Sequence, residues 1–126
     1  MSIRRHVVSV TTASDGSAEA FSPYINGKLR SIQYIKPGSG NFDDGVDFTI
    51  TAEATGETLW TESNVNATKH CRPRAAQHST AGVAALYASG GTAVNEMIAL
   101  GRDRVKIVIA SGGNAKVGAF HIVVED

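Results

Sequence analysis

His70, Cys71 and His78 are the side chains of this sequence that come nearest to a metal site. Imidazole and thiolate are the usual ligands of zinc, and the three residues fall within one short stretch of the chain. However, adjacent residues of an extended chain point to opposite faces, so His70 and Cys71 would not converge on one ion. The other two histidines, His6 and His121, lie in predicted strands and have no metal-ligand spacing. We therefore expect no bound metal and interpret these residues as structural or exposed.

The segment 111–116 reads Ser-Gly-Gly-Asn-Ala-Lys and combines glycines with a lysine, as phosphate-binding loops do. A phosphate loop needs the spacing G-x-x-x-x-G-K-[ST] and a helix after it, so that the backbone amides converge on one anion. Here the pattern that follows is that of a strand. We interpret the segment as the turn of a β-hairpin.

Asp43, Asp44 and Asp47 lie around Gly45 and are loosely similar to a calcium loop. The alternating oxygen ligands and the terminal glutamate of an EF-hand are missing, so we interpret them as a solvated turn that keeps a sheet edge from pairing wrongly. No G-x-S-x-G elbow presents a serine nucleophile, and no spacing assembles a catalytic group of side chains. We expect neither an enzyme nor a cofactor.

The residues 69–74 concentrate fixed positive charge on a loop that a proline stiffens. Arg72 and Arg74 flank Pro73, and Lys69 precedes them. Arginine and tryptophan are favoured as interface anchors, so these three basic residues and Trp60 are our candidate partner-contact residues. The alternative is a solvated loop with Trp60 in the core. We favour the core for Trp60 and a contact role for the arginines.

The charge balance excludes some classes of partner. The 126 residues contain 12 basic and 12 acidic side chains, which gives a formal net charge of zero. No global field therefore draws the protein onto nucleic acid or an anionic membrane. A chain near its neutral point has little repulsion between copies, which favours association if a complementary surface exists.

Cys71 is the single cysteine, so an intrachain disulfide cannot form and the fold must depend on packing. The first residues pass directly into a strand pattern without the apolar run of a signal peptide. No apolar stretch reaches the length of about 18 residues that a bilayer requires. We expect a protein that is made in the cytoplasm and has no membrane segment.

Short apolar alternation, interrupted by Gly, Asn, Asp and Pro, runs through the whole chain and predicts β-strands. In the first half the predicted strands are 3–12, 18–22, 27–36, 46–53 and 58–61, and the last two are expected to form a hairpin. Strand 27–36 carries apolar residues in both alternating sets, which indicates either two partly covered faces or a β-bulge.

In the second half, 64–81 has no sustained periodicity and is predicted to be a long surface connection. We assign a strand to 83–87 in preference to a helix, because Gly82 interrupts the Ala-rich stretch. A further strand is predicted at 94–99. The chain is expected to end in a β-hairpin, in which the alternating sets of 105–110 and 119–124 pair across the turn.

About eight strands with turns at intervals of roughly 8 to 12 residues are typical of a sandwich, jelly roll or small barrel. The prediction is an all-β protein, residues 1–126 forming a single-domain β-sandwich or jelly-roll-like barrel. The low aromatic fraction, 6%, predicts a thin core of the kind found between two sheets.

Several runs resemble a group of small tailed-bacteriophage proteins that contribute to virion structure, in particular capsid decoration or cement proteins. The runs are PRAAQH at 73–78, ALY at 85–87, RVKIVIA at 104–110, GG at 112–113 and KVG at 116–118. The resemblance covers roughly the last half of the chain, and the opening strand with its Ser-Asp-Gly turn fits it as well. It implies a compact β-rich domain that binds the outside of the shell as a symmetric oligomer and bridges neighbouring capsomers.

The resemblance therefore implies two partners, the major capsid protein and further copies of this chain, with a homodimer slightly favoured over a homotrimer. The expected location is the capsid surface of the virion. Two alternatives stay open at this point: another virion part, such as a tail, head-to-tail connector or fibre module, and a ligand- or carbohydrate-binding jelly roll.

Overall fold

The computed structural model describes residues 2–126, which form two antiparallel β-sheets packed face to face as a β-sandwich. This confirms the predicted all-β class, and none of the described residues forms a helix, let alone one that is long and apolar enough to cross a membrane. The described residues form ten strands and not about eight. They are β1 (Ile3–Thr11), β2 (Ala18–Phe21), β3 (Ile25–Ile35), β4 (Val46–Ala52), β5 (Thr58–Val65), β6 (Lys69–Cys71), β7 (Arg74–Ala76), β8 (Asn95–Asp103), β9 (Val105–Ala110) and β10 (Val117–Glu125).

Five strands of the six-stranded sheet have the order β1-β10-β3-β8-β7. The sixth strand, β6, also pairs with β3. The four-stranded sheet has the order β2-β9-β4-β5. The predicted hairpin of β4 and β5 is present, and β5 extends beyond its predicted end to Val65. The pairings between these ten strands are antiparallel, so each sheet can face the core on one side and solvent on the other.

The core lies between the two sheets and follows the predicted alternation. In β4, Val46, Phe48, Ile50 and Ala52 are buried, and the residues between them are exposed or half-buried. Aromatic rings from both sheets meet at its centre. The Phe48 ring lies edge-on to Phe120 of the opposite sheet, with the ring centroids 5.3 Å apart, and Tyr34 packs 5.4 Å from the Phe120 ring.

The two apolar sets of β3 are explained by a β-bulge. Val123 of β10 lies opposite Ser31, whereas the next residue, Val124, lies opposite Leu29, so Arg30 is the extra residue. The bulge shifts the alternation by one position. Leu29 and Ile32 consequently both face the core, where they are fully buried.

The predicted terminal hairpin is wrong, although both of its strands exist. β9 pairs with β2 and β4 in the four-stranded sheet, while β10 pairs with β1 and β3 in the six-stranded sheet. The segment 111–116 therefore crosses from one sheet to the other. Alternation with a period of two determines which side chains face the core, but it does not determine which strand lies next to a given strand in the sheet. Here the apolar residues of β9 and those of β10 face each other across the core.

Two predictions for residues 64–94 are also wrong. The segment 64–81 contains the short strands β6 and β7, and 83–87 is not a strand. Residues 77–94 instead form a folded excursion between β7 and β8, which we call the arm. Its backbone joins three short segments: the Ala85 amide donates to the Gln77 carbonyl at 2.7 Å, and the Ala85 carbonyl accepts from the Val94 amide at 2.9 Å. Isolated bridges of this kind are too short to give a periodic sequence pattern.

Candidate interaction surface

The residues considered for zinc do not converge. His70 and Cys71 are neighbours on β6, where they lie opposite Gln33 and Ile32 of β3, and His78 belongs to the arm. Within residues 2–126, no three His, Cys, Asp or Glu side chains are grouped as metal ligands. Cys71 packs against the core, and its partial burial raises the pKa of the thiol, which favours the unreactive protonated form.

The glycine-rich segment 111–116 uses its backbone groups within the protein. The Gly112 amide donates to the Gly16 carbonyl at 2.9 Å, and the Lys116 amide donates to the Thr12 hydroxyl oxygen at 2.9 Å. The Gly112 carbonyl accepts from the Asp43 amide. These contacts fasten the crossover to two other loops, and they occupy amides that a phosphate loop would direct at an anion.

The three aspartates around Gly45 each have a separate contact. The Asp44 carboxylate pairs with the Lys36 ammonium at 2.9 Å, and the Asp47 carboxylate accepts a hydrogen bond from the Asn64 amide at 2.9 Å. Asp43 packs its carboxylate against Gly113. The side chains thus stabilise neighbouring loops and do not share one ligand.

Trp60 and Lys69, two of the predicted contact residues, meet at the Glu62 carboxylate. The Trp60 indole N–H donates to Glu62 Oε1 at 3.1 Å, and Lys69 Nζ lies 3.0 Å from Oε2. Trp60 is only 6% exposed and lies edge-on to Phe48, so it belongs to the core, as favoured from the sequence. Because Lys69 is on β6 and Glu62 is on β5, this contact ties the two sheets together at one edge of the sandwich.

The Glu62 contact predicts a specific pH dependence. Hydrogen bonds from the Trp60 indole and then from Lys69 hold the pKa of the Glu62 carboxyl below its ordinary value of 4.5. A carboxylate with a lowered folded-state pKa contributes stability above its unfolded-state pKa, and this contribution is lost as the pH falls through the folded-state value. The melting temperature of Glu62→Gln should therefore lie below that of the wild type at pH 7, and the gap should narrow towards pH 3.

Thermal unfolding followed by circular dichroism from pH 7 to pH 3 measures this gap. Glu19→Gln is the matched control, because Glu19 is an exposed strand residue without an ion pair among the described residues. Its melting curve should follow the wild type at every pH. A gap for Glu62→Gln that is constant over this range would contradict the proposed ionic role.

The two arginines differ in their surroundings. Arg74 Nη1 donates to the Arg30 carbonyl at the β3 bulge, at 3.2 Å, and to the Pro73 carbonyl at 2.7 Å. Pro73 is buried and anchors the loop, whereas Arg72 is exposed. The predicted contact residues thus divide into a sheet-bridging pair, Trp60 and Lys69, and an arginine pair at the start of β7.

The structure shows a second candidate interaction surface, which was not predicted from the sequence. The solvent side of three adjacent strands of the six-stranded sheet carries many apolar residues, and we call this surface the outer face. It consists of Ile3, Arg5, Val7, Ser9 and Thr11 of β1, of Val117, Ala119, His121 and Val123 of β10, and of Ser31, Gln33 and Ile35 of β3. Val7 is 53% exposed and Ile3 is 56% exposed.

The charged side chain of the outer face is a basic one, Arg5. The Arg5 guanidinium lies 3.1 Å from His121 Nδ1, so Arg5 lies over β10 and His121 accepts through its neutral nitrogen. The nearby carboxylate of Glu125 is already paired with Arg30 at 2.8 Å. The outer face therefore presents aliphatic side chains with uncompensated positive charge to solvent.

The sequence did contain a signal for the outer face. In β10 both alternating sets are rich in apolar residues, since Val117, Ala119 and Val123 alternate with the buried Phe120 and Ile122. Such a pattern is typical of a strand that is covered on both faces. The solvent side of β10 has no cover in the described part of the chain.

The arm presents apolar side chains as well. Tyr87 is 76% exposed, and Val83 and Leu86 are also exposed, so the arm is held by its backbone hydrogen bonds and not by a core of its own. It leaves the six-stranded sheet at β7, whereas β1 forms the opposite edge of the same sheet. The outer face at β1 and the arm therefore lie at separate places on the protein.

An open notch of about 300 Å³ lies where β1 and β10 meet the β2–β3 loop. Its lining includes Arg4, His6, Tyr24, Asn26 and Asp126, most of which are polar or charged. Pockets for small organic ligands are mostly apolar with a few polar groups. The notch does not have that composition, and the outer face and the arm are the better candidates for a functional surface.

No protein-family model and no curated protein matches this sequence. A solved structure described as the crystal structure of FLHE is similar to this chain with a TM-score of 0.43 and 11% sequence identity, covering 98% of this chain and 96% of the other.

Proposed function

We propose that this protein is a structural subunit of a bacteriophage virion, a capsid cement or decoration protein that binds the outside of the shell as a homo-oligomer. The observation that carries the proposal is the outer face, where the central strand β10 is mostly apolar on its solvent side as well as on its core side. The biological setting is inferred from the resemblance of the short runs in the last half of the chain to tailed-bacteriophage virion proteins.

An apolar sheet face supports an assembly role for a physical reason. An antiparallel sheet with one wetted side normally shows polar residues there, because exposed aliphatic area in water is unfavourable. Contiguous exposed apolar patches on soluble proteins mark sites of interaction. The outer face is such a patch, and the zero net charge of the chain provides no general attraction to an anionic membrane, so a protein partner is favoured.

A cement protein must contact both its own copies and the shell. Arg72 lies in the loop before β7 and the arm follows β7, so both flank the edge strand that lies opposite to β1 in the six-stranded sheet. We assign shell contact to this end of the molecule. Tyr87 would anchor in the capsid surface, and Arg72 and Arg74 would pair with acidic side chains of the major capsid protein.

The prediction is that Arg72→Ala with Arg74→Ala, and separately Tyr87→Ala, reduces binding to purified, undecorated capsids. Truncating one partner of a desolvated interfacial ion pair costs about 2 to 5 kcal/mol, whereas a solvated loop would lose almost nothing. The residual binding of the double variant should also tolerate salt better than that of the wild type, because the charge pairs that salt screens are gone. Cosedimentation with capsids across a salt series measures both effects.

Lys106→Ala is the control for this assay, because Lys106 lies on β9 of the four-stranded sheet, far in sequence from the arm. Circular dichroism should show the same fold for all variants, with a small decrease in melting temperature for the double variant because Arg74 no longer donates to the Arg30 and Pro73 carbonyls. A wild type that does not bind capsids would refute the cement function and leave the other virion parts as the alternative. Wild-type binding that all these variants retain would remove the arm and its arginines from the contact.

A further inference from the structure

We propose that two copies of this chain pair through the free edge of β1, so that their six-stranded sheets join into one continuous sheet. This deepens the homo-oligomer part of the proposed function, on which it rests, and specifies which strand pairs and in which register. The partner is a second copy of the same strand, related by a two-fold axis perpendicular to the sheet.

β1 is the longest and most regular of the outer strands of the sandwich. β2, β6 and β7 have only three or four residues, and β5 has two register irregularities against β4. β1 pairs with β10 over Ile3–Thr11 without a bulge and, within residues 2–126, with no other strand. It also contains no proline or lysine. A long, regular edge strand with exposed apolar side chains is a template for another strand.

The structure shows which backbone groups of β1 point to this edge. The Thr12 amide donates to the Lys116 carbonyl at 2.9 Å, and the Ser2 carbonyl accepts from the Asp126 amide at 3.1 Å. Both contacts continue the β1–β10 register, in which hydrogen-bonded pairs alternate with non-bonded pairs. The even residues therefore bond to β10. The odd residues, Ile3, Arg5, Val7, Ser9 and Thr11, direct their amide and carbonyl groups at the free edge.

These odd residues define a self-complementary register. When Val7 lies opposite Val7 of the second copy, the whole strand overlaps and every odd residue faces another odd residue. Arg5 then lies opposite Ser9, and Ile3 lies opposite Thr11. No like charges are opposed in this register, whereas a shift that centres the axis on Arg5 would place two guanidinium groups opposite each other.

The charges of the chain and the position of the arm are also compatible with a second copy bound at β1. Arg5 is held over β10 by His121 and so does not project into the new strand pair. The chain has no net charge, so two copies do not repel each other at long range. Because the arm connects β7 and β8, on the side of the sheet away from β1, pairing at β1 leaves it free in both copies.

Val7→Lys tests the proposal, because it places two ammonium groups opposite each other at the centre of the pair. Val108→Lys is the matched control: Val108 is also an exposed strand valine, at 37%, but its strand β9 is flanked by β2 and β4 and has no free edge. By light scattering at micromolar concentration, the wild type and Val108→Lys should have the mass of a dimer and Val7→Lys the mass of a monomer. An equal mass for all three proteins would overturn the proposal.

Amide hydrogen exchange gives a second readout specific to the edge. When the concentration of the wild type exceeds the dissociation constant of the dimer, the amides of the odd residues of β1 should be protected from exchange. After dilution to the monomer these amides should exchange rapidly, while those of the even residues should stay protected. Equal protection of odd and even residues in a monomer would contradict the assigned hydrogen-bond directions.

Cysteine cross-linking tests the register and does not depend on whether Val7→Lys folds. In a Cys71→Ser background, a mixture of Arg5→Cys and Ser9→Cys proteins should form a disulfide-linked dimer, since opposed residues lie about 5.5 Å apart between their Cα atoms. Either protein alone should not, because identical positions would be about 13 Å apart along the strands. Cross-linking of each alone, or none in the mixture, refutes this register.

The test of β1 pairing and the test of the cement function can fail independently. A monomeric wild type that still binds capsids would refute β1 pairing and retain shell binding. A β1-paired dimer that ignores capsids would retain the pairing and refute the cement function.

Discussion

Truncation of Phe120 to alanine should lower the free energy of unfolding by about 3 to 5 kcal/mol, the range found for buried Phe→Ala substitutions. Phe120 is fully buried on β10, and its ring touches Tyr34 of the same sheet and Phe48 of the opposite sheet. Its loss would leave a cavity at the point where the two sheets meet. Single domains are stable by only about 5 to 15 kcal/mol, so this variant should be close to unfolding.

Ile107→Ala should act in the same direction by about 2 to 5 kcal/mol, because Ile107 is fully buried on β9 in the other sheet. Lys106→Ala is the control, since Lys106 is the neighbouring residue and faces away from the core. It should change the unfolding midpoint in urea little. Equal, small shifts at all three positions would mean that the assigned core faces are wrong.

Gly118→Ala is the second substitution with a large expected effect. A methyl group at Gly118 would overlap the ring of Phe42, which is buried and stacks on Tyr34 with centroids 5.8 Å apart. Overpacking of a well-packed core costs about 1 to 3 kcal/mol and occasionally more. The unfolding midpoint should fall, and the near-ultraviolet dichroism of the aromatic cluster should change.

Gly101→Ala is the matched control for this substitution. Gly101 is also a strand glycine, on β8, but a methyl group there would meet nothing within 4 Å. Its stability should stay the same or rise by up to about 1 kcal/mol, because alanine restricts the unfolded chain. If both variants unfold at the same midpoint, the Phe42 ring does not fill the space beside Gly118.

The two classes of substitution test different parts of the molecule. Phe120 and Gly118 face the core on β10, whereas the neighbouring Ala119 and His121 belong to the outer face. A core variant that unfolds says nothing about assembly. The oligomer and capsid assays therefore depend on surface positions, such as Val7, Arg72 and Tyr87, whose replacement should leave the fold intact.

The sequence determined the local features of this protein. Alternation of apolar and polar residues in β4, and of larger and smaller apolar residues in β9 and β10, identified the core residues, because a period of two assigns side chains to faces regardless of which strand is adjacent. Turn residues marked most strand ends for a similar reason, since they act on their own backbone. The class of the fold and the buried position favoured for Trp60 followed from these local signals.

Only the tertiary structure decided the strand partners and the surfaces. β9 and β10 lie next to each other in the sequence but in different sheets, and nothing in their residues distinguishes pairing in one sheet from packing across the core. The arm has no periodicity to detect, because its segments are joined by single bridges. The free edge of β1 likewise depends on which strands flank it. Strand pairing brings together residues that are far apart in the chain. The pattern of apolar and polar residues along one strand does not specify which other strand it pairs with.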